Sequence, residues 1–289
     1  MRSKLFVPGS RSELFAKALA SQADAISIDL EDAVVESRKA EARGAVAAFL
    51  QSDDARATQK VVIVRVNALG TPYFEADVMA ITRPGLTLLN LPKTECAEDV
   101  QAAVAILARA EAINDVRAPV RILANIETPK GLRNALQIAT AHPRVAGLQL
   151  GYGDLFEPMG IDRQFPANVH AAMFTVRMAA GEAGVFAYDG AFADVQNNDG
   201  FRAEAEMARR LGFWGKSCIH PSQIALANDV FGPGDEEIAQ AERVLEASRQ
   251  AQVDGVGAFM VDGRMIDIPF IRRAEVIVAI ARRRRLTLL

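Results

Sequence analysis

The chain has 289 residues, half of them hydrophobic and 24% charged, the balance of an ordinary globular enzyme with room for one large domain or two small ones. Its formal net charge of −3 supplies no field for nucleic acid, and its two cysteines, Cys96 and Cys218, are too few for a disulfide framework or a zinc knuckle. No apolar run approaches the roughly 20 residues of a membrane span and the N-terminus lacks the apolar stretch of a signal peptide, so a reducing cytoplasm is expected.

Short apolar runs alternate with amphipathic, Ala-rich segments. Residues 5–7 form the first run, followed by a helix near 12–21. The second run, 25–30, precedes a helix over about 37–50, and the third, 61–66, precedes one at 73–81. Residues 86–91 and a helix at 97–113 come next. The fifth run, 122–126, is the most telling. It reads as a strand buried on both faces, and it stops on a carboxylate, Glu127. Thr128 can cap the helix that follows, and Pro129 fits its first turn. Residues 145–150 form the sixth run, with a helix at 168–183. The seventh, 185–188, precedes a helix at 200–211, and the eighth, 216–219, a short helix after Ser222.

Eight strand-plus-helix units in about 230 residues is the count of a closed (β/α)8 barrel. A doubly wound sheet uses the same units. The barrel is favoured because no glycine-rich phosphate loop follows the first strand. It is favoured too by the polar residues that follow the runs: Glu31 and Asp32, Arg65 and Asn67, Lys93, Glu127, Asp154, Asp189 and His220. In a barrel these tips meet on one face. After Pro233-Gly234 the pattern changes. A long helix over 235–252, a Gly-rich hairpin turning at Asp262-Gly263, and a final helix form a C-terminal helical and lid extension. The expected division is 1–232 for the barrel and 233–289 for the extension, packing on the barrel or a neighbouring subunit. The arginine run at 282–285 reads as a solvated helix face.

Several residues could carry chemistry. Glu127 and Asp154 sit on consecutive strand tips, and two carboxylates leave most of an octahedral cation to water and substrate, the Mg²⁺ style of binding. The structural alternative is two acids satisfied at helix N-termini. Arg65 interrupts an apolar strand, either to face a carboxylate or enolate oxygen or to pair with Glu31 or Asp32. Glu31 and Asp32 could order metal-bound water or cap a helix. Asp267 lies between Ile266 and Ile268, placed either to carry a proton or to cap before Pro269. His142, His170 and His220 lack metal-binding spacing, and Lys93 would suit a Schiff base only if the carboxylates were not a metal site.

Read together, the motifs resemble a family. They include Leu5-Phe6-Val7-Pro8-Gly9, Asp29-Leu30-Glu31-Asp32, Val64-Arg65-Val66-Asn67, Leu91-Pro92-Lys93 and Ile126-Glu127-Thr128. Gly153-Asp154-Leu155, Gly215-Lys216-Ser217-Cys218-Ile219-His220-Pro221 and Gly263-Arg264-Met265-Ile266-Asp267 complete the set. In this order they resemble the citrate lyase beta-subunit (CitE-like) group of the HpcH/HpaI aldolase superfamily, which includes malyl-CoA lyases. The resemblance implies a TIM barrel with a C-terminal lid, assembled as a homotrimer or hexamer. It implies Mg²⁺ on Glu127 and Asp154, and Arg65 polarising a thioester carbonyl. The lid aspartate would be Asp267, acting on a neighbouring subunit, and Glu31 and Asp32 would lie near metal-bound waters. Substrate would meet Arg65, Glu127, Gly153, Asp154 and Leu155. One departure is Gly151-Tyr152-Gly153, where many relatives carry a small or acidic residue.

The implied activity is carbon–carbon cleavage or formation of a 3-hydroxyacyl-CoA thioester of citryl, malyl or citramalyl type, through an acetyl-thioester enolate. Two alternatives keep the barrel. One is a citrate lyase beta subunit working on acyl-carrier protein beside alpha and gamma subunits. The other is a malyl-CoA thioesterase.

Overall fold

The structure, a computed structural model, describes residues 1–287. Eight parallel strands close into a barrel: β1 (Ser3–Pro8), β2 (Ala25–Asp29), β3 (Val61–Arg65), β4 (Leu88–Leu91), β5 (Arg121–Ile126), β6 (Val145–Leu150), β7 (Phe186–Ala191) and β8 (Lys216–Cys218). Each pairs with the next, and β8 returns to β1 with Lys216 opposite Ser3. Closure decides between the two α/β layouts in favour of the (β/α)8 barrel, since a doubly wound sheet keeps two edges.

The helices between strands are α1 (Phe15–Ala20), α2 (Lys39–Leu50), α3 (Asp53–Ala57), α4 (Phe74–Ile81), α5 (Ala97–Ile113), α6 (Pro129–Arg133), α7 (Ala135–Thr140), α8 (Tyr152–Phe156), α9 (Pro166–Glu182) and α10 (Asn198–Arg210). After β8 comes α11 (Ser222–Val230). Two features were not expected from the sequence. The helix after Glu127 breaks at Asn134, whose side chain donates to the Glu95 carbonyl at 2.8 Å, and so becomes α6 and α7. A single-turn helix, α8, also begins straight after β6, where only a strand tip leading to Asp154 was expected.

Period-two alternation explains the rest. Ile26 and Ile28, Val62 and Val64, Leu89 and Leu91, Ile122 and Ile126 point outward into one continuous core with Val46, Leu50, Val78, Val100, Leu107 and Val176 of the helices. The intervening residues point to the barrel axis. In the first three residues of their strands these are apolar: Ala25, Ile63, Leu88, Leu123 and Ala146 form a separate plug. Other inward-facing positions are polar. Lys4 hydrogen-bonds Gln149, and Asn90 donates to Asn125 Oδ1 at 2.7 Å. At the strand ends the same alternation delivers Asp29, Arg65 and Glu127 to the mouth.

The chain divides into two compact units, Met1–Phe231 and Gly232–Leu289. The second contains α12 (Asp235–Val253), a hairpin of β9 (Phe259–Val261) and β10 (Arg264–Ile266), and α13 (Ile268–Thr287). Asp262 and Gly263 both take positive φ, 49° and 75°, the geometry of a two-residue hairpin turn. The Arg243 guanidinium donates to Asp262 Oδ2 at 2.7 and 3.0 Å and ties that turn to α12. Ala241, Val244, Ile266, Ala274 and Val278 give the unit its own small core. The side chains of residues 282–285, the expected solvated face, lie outside the described residues. Among the described residues no helix is long and apolar enough to cross a membrane.

Candidate active site

The mouth of the barrel is built outward from Asp29. This last residue of β2 lies directly opposite Arg65, the last residue of β3, in the strand register. Arg65 grips it with both arms, Nε to Oδ1 at 2.8 Å and Nη2 to Oδ2 at 2.7 Å. Backbone N–H groups of Glu31 and Ala33 donate to the same carboxylate at 2.9 and 3.1 Å. Burial would raise the Asp29 carboxyl, but the guanidinium and these amides hold it below the usual carboxylate range. The remaining arm of Arg65, Nη1, lies 3.0 Å from Glu31 Oε2 and 3.4 Å from Asp32 Oδ2. Burial opposes the guanidinium charge, and the three carboxylates more than offset it, so Arg65 stays charged. The alternative read from the sequence, an ion pair with a barrel carboxylate such as Glu31 or Asp32, is present. The principal partner is Asp29.

Across the mouth stands Glu127, just past β5 and 2% exposed. Its Oε1 accepts the Lys93 backbone N–H at 2.6 Å, and its Oε2 takes a long contact of 3.4 Å from Asn125 Nδ2. Those two donors do not compensate for its environment. Burial first, then the Glu31 charge, push its carboxyl up to about 7. Gly151 closes against it, since a Cβ there would strike the Glu127 carboxylate. Asp154, the third residue of α8, is more open, its side chain 43% exposed.

Lys93 joins these groups. Its ammonium lies 2.7 Å from Glu31 Oε1, 3.7 Å from Asp32 Oδ1 and 3.8 Å from Asp154 Oδ2. Burial works against this charge, but the three acids raise its pKa and keep it protonated. An ammonium held so firmly is a poor amine nucleophile, which counts against a Schiff base. Lys93 had drawn notice in the sequence only for that chemistry. Its place as the hub depends on a left-handed φ of 48° that nothing in Leu91-Pro92-Lys93 announces.

The expected tips do not all converge. Asn67 is held by Asp77 of α4 through its backbone and side-chain nitrogens, at 3.0 and 2.6 Å. His220 is exposed and pairs with Ser222. Asp189 points outward, between the sheet and α10. There it accepts from Tyr152 Oη at 2.8 Å and Lys216 Nζ at 2.6 Å. Lys216 also donates to Glu204, which Arg163 holds from the other side at 2.7 and 3.2 Å. The side chain of Leu155 is buried in the core, while Gly153 faces open space. Asp267 belongs to the second unit, immediately before α13, and its Oδ1 is buried without a hydrogen-bond partner among the described residues.

Could this donor set hold a metal? Among the described residues no three acid, histidine or cysteine side chains form a complete cage. Two carboxylates are nevertheless what a hard, strongly hydrated divalent ion needs, the other positions going to water and substrate oxygen. Glu127, buried and short of positive charge, fits a cation better than it fits its present surroundings.

Comparison with known proteins places the chain in a family. The HpcH/HpaI aldolase/citrate lyase family matches residues 2–221. An L-malyl-CoA/beta-methylmalyl-CoA lyase of Cereibacter sphaeroides is 35% identical over 298 residues, covering 96% of this chain and 93% of its own. A citrate lyase subunit beta of Haemophilus influenzae is 36% identical over 281 residues, covering 96% and 95%. Among solved structures, CitE of Mycobacterium tuberculosis, in complex with magnesium, acetoacetate and coenzyme A, superposes with a TM-score of 0.76 at 33% identity, covering 97% of this chain and 99% of that one. The barrel, the acid-rich mouth and these end-to-end matches lead to one conclusion: the chain belongs to the HpcH/HpaI aldolase/citrate lyase family, an enzyme family whose members named here include lyases.

Proposed function

We propose that this chain is a magnesium-dependent carbon–carbon lyase or synthase acting on a 3-hydroxyacyl-CoA thioester of the citryl, malyl or citramalyl type. The observation that carries the reading is the meeting of Glu127, Asp154 and Arg65 around one mouth, with Lys93 spanning the acids. The magnesium, acetoacetate and coenzyme A in the CitE complex, and the malyl-CoA and citrate lyase relatives, support it.

Glu127 and Asp154 would hold the magnesium, which supplies Lewis-acid charge to the oxo-acid half of the substrate. The chain's own residues do the rest. Asp29 fixes Nε and Nη2 of Arg65, so Nη1, which rests against Glu31 and Asp32, is the edge that would turn toward the thioester carbonyl oxygen. In the cleavage direction the Glu31–Asp32 pair accepts the hydroxyl proton and the carbon–carbon bond breaks. The electron pair moves into an acetyl-thioester enolate whose oxygen faces Arg65. Fixed charge at that oxygen is worth about 3 kcal/mol. Asp267, brought by a neighbouring copy of the chain, would return a proton to the enolate carbon. Gly153 and Asp154 line the substrate side, and Leu155 contributes through its backbone. Met260, Met265, Ile268, Phe270 and Val276 leave apolar surface exposed on the second unit, which suits assembly with further copies of the chain as a trimer or hexamer.

The test is turnover of a thioester panel with magnesium, beside Glu127→Ala. Acetyl-CoA plus an oxo acid, lost by at least about a hundredfold in the variant, is the expected result. No such products above the variant would refute the reading. Free hydroxy acid with intact carbon chain would make it a thioesterase. Turnover only of acyl-carrier protein substrates would favour the citrate lyase beta subunit, the second reading that the Haemophilus relative supports.

A further inference from the structure

Lys93 holds a backbone conformation that a side chain seldom adopts, φ 48°, in the turn two residues past the end of β4. The conformation aims the backbone N–H at Glu127 while the side chain crosses to Glu31, Asp32 and Asp154. One residue thus meets four carboxylates, by its amide at one and by its ammonium at three. Two of the four, Glu127 and Asp154, are the pair assigned above to a divalent cation. A doubly charged ion on Asp154 and an ammonium 3.8 Å from the same carboxylate repel one another.

We infer that Lys93 is the internal counter-ion of this acid cluster: its ammonium gathers Glu31, Asp32 and Asp154 and gives up its position at Asp154 when a divalent cation binds. The inference rests on the metal reading above. Three observations support it. The lysine side chain is 36% exposed, so the ammonium has solvent to move into. Its shortest contact is to Glu31 at 2.7 Å, which serves as the pivot, while the Asp154 contact at 3.8 Å is the longest and first to yield. And Arg65 is committed to Asp29 by two hydrogen bonds, with its remaining arm on Glu31 and Asp32, so it leaves Asp154 to Lys93. Lys93 is accordingly a positioning residue that competes with the metal. A lysine that merely propped up the ligands would strengthen metal binding instead.

The experiment is a titration of the full chain with Mn²⁺, followed by electron paramagnetic resonance, for the natural protein, Lys93→Met and Lys93→Gly. The glycine variant keeps the backbone N–H and suits the positive φ, so it serves where the methionine variant folds poorly. Both should bind Mn²⁺ about tenfold more tightly than the natural chain, because a competing charge is gone. Their thermal midpoints without metal should fall below the natural chain's, and saturating Mn²⁺ should close the gap. Unchanged or weaker Mn²⁺ binding in both variants overturns this inference alone. A natural chain that binds no Mn²⁺ overturns the metal reading and this inference with it.

Discussion

Two clusters of charge flank the sheet of this barrel, and they are finished to opposite standards. The outer one, Tyr152, Asp189, Lys216, Glu204 and Arg163, lies between the strands and the helices. Lys216 and Asp189 are 0% exposed there, and each charge has an opposite charge against it. The inner one opens at the mouth. It leaves Glu31 Oε2 without a hydrogen bond, Glu127 short of positive charge and Asp154 half in water. A buried charge must be matched or the fold suffers, so completeness marks a structural network. Incompleteness at a strand-end mouth marks a place where something else supplies the missing charge.

The contrast can be broken from the structural side first. Lys216→Ala leaves Asp189 and Glu204 facing one another, so it should cost about 3–5 kcal/mol, read as a lower urea midpoint. A loss under about 1 kcal/mol would mean that the outer cluster is no more essential to folding than the inner one.

Glu127 sharpens the comparison from the other side. Its carboxyl has an ordinary value of 4.5 and stands at about 7 in the folded chain. The folded state therefore holds this proton more tightly than the unfolded state does. The associated stability is fully present below pH about 4.5 and is lost as pH rises through about 7, an effect on the order of 3 kcal/mol. The metal-free natural chain, compared with Glu127→Gln across that window, should lose this increment, and the variant should not. Parallel pH–stability curves for the two chains would remove Glu127 from the class of uncompensated acids.

The smallest effect tests the link between clusters. Tyr152 anchors to Asp189 two residues before Asp154. Tyr152→Phe keeps the ring and deletes one bond to a charged acceptor, so a loss of about 1.5–3 kcal/mol in urea unfolding is expected. A fewfold weaker Mn²⁺ affinity should accompany it if the outer network steadies Asp154; unchanged affinity would make the two clusters independent.

Much of this was legible in the residues. The apolar runs announced all eight strands, and the stop on Glu127 announced the mouth. Alternation along β2 and β3 could also have revealed Asp29, because a strand pairing of 29 with 65 puts both on the inner face. The outer cluster was harder to see. Arg163, Glu204 and Lys216 come from a loop, a helix and a strand, and only the closed barrel brings them together. A lysine opening the run Lys216-Ser217-Cys218-Ile219 was the one available clue. Helix α8 was hidden because glycines on both sides of Tyr152 discourage a helix, and a buried tyrosine overrides that preference.

Those two glycines differ in what they permit. At Gly151 even a methyl group would collide with Glu127, so the spacing between the fifth and sixth strand tips is set by a side chain that must be missing. Gly153, two positions on, meets nothing. A larger side chain has latitude at 153 and none at 151, which leaves one position adjustable and makes the other a fixed gauge of the mouth.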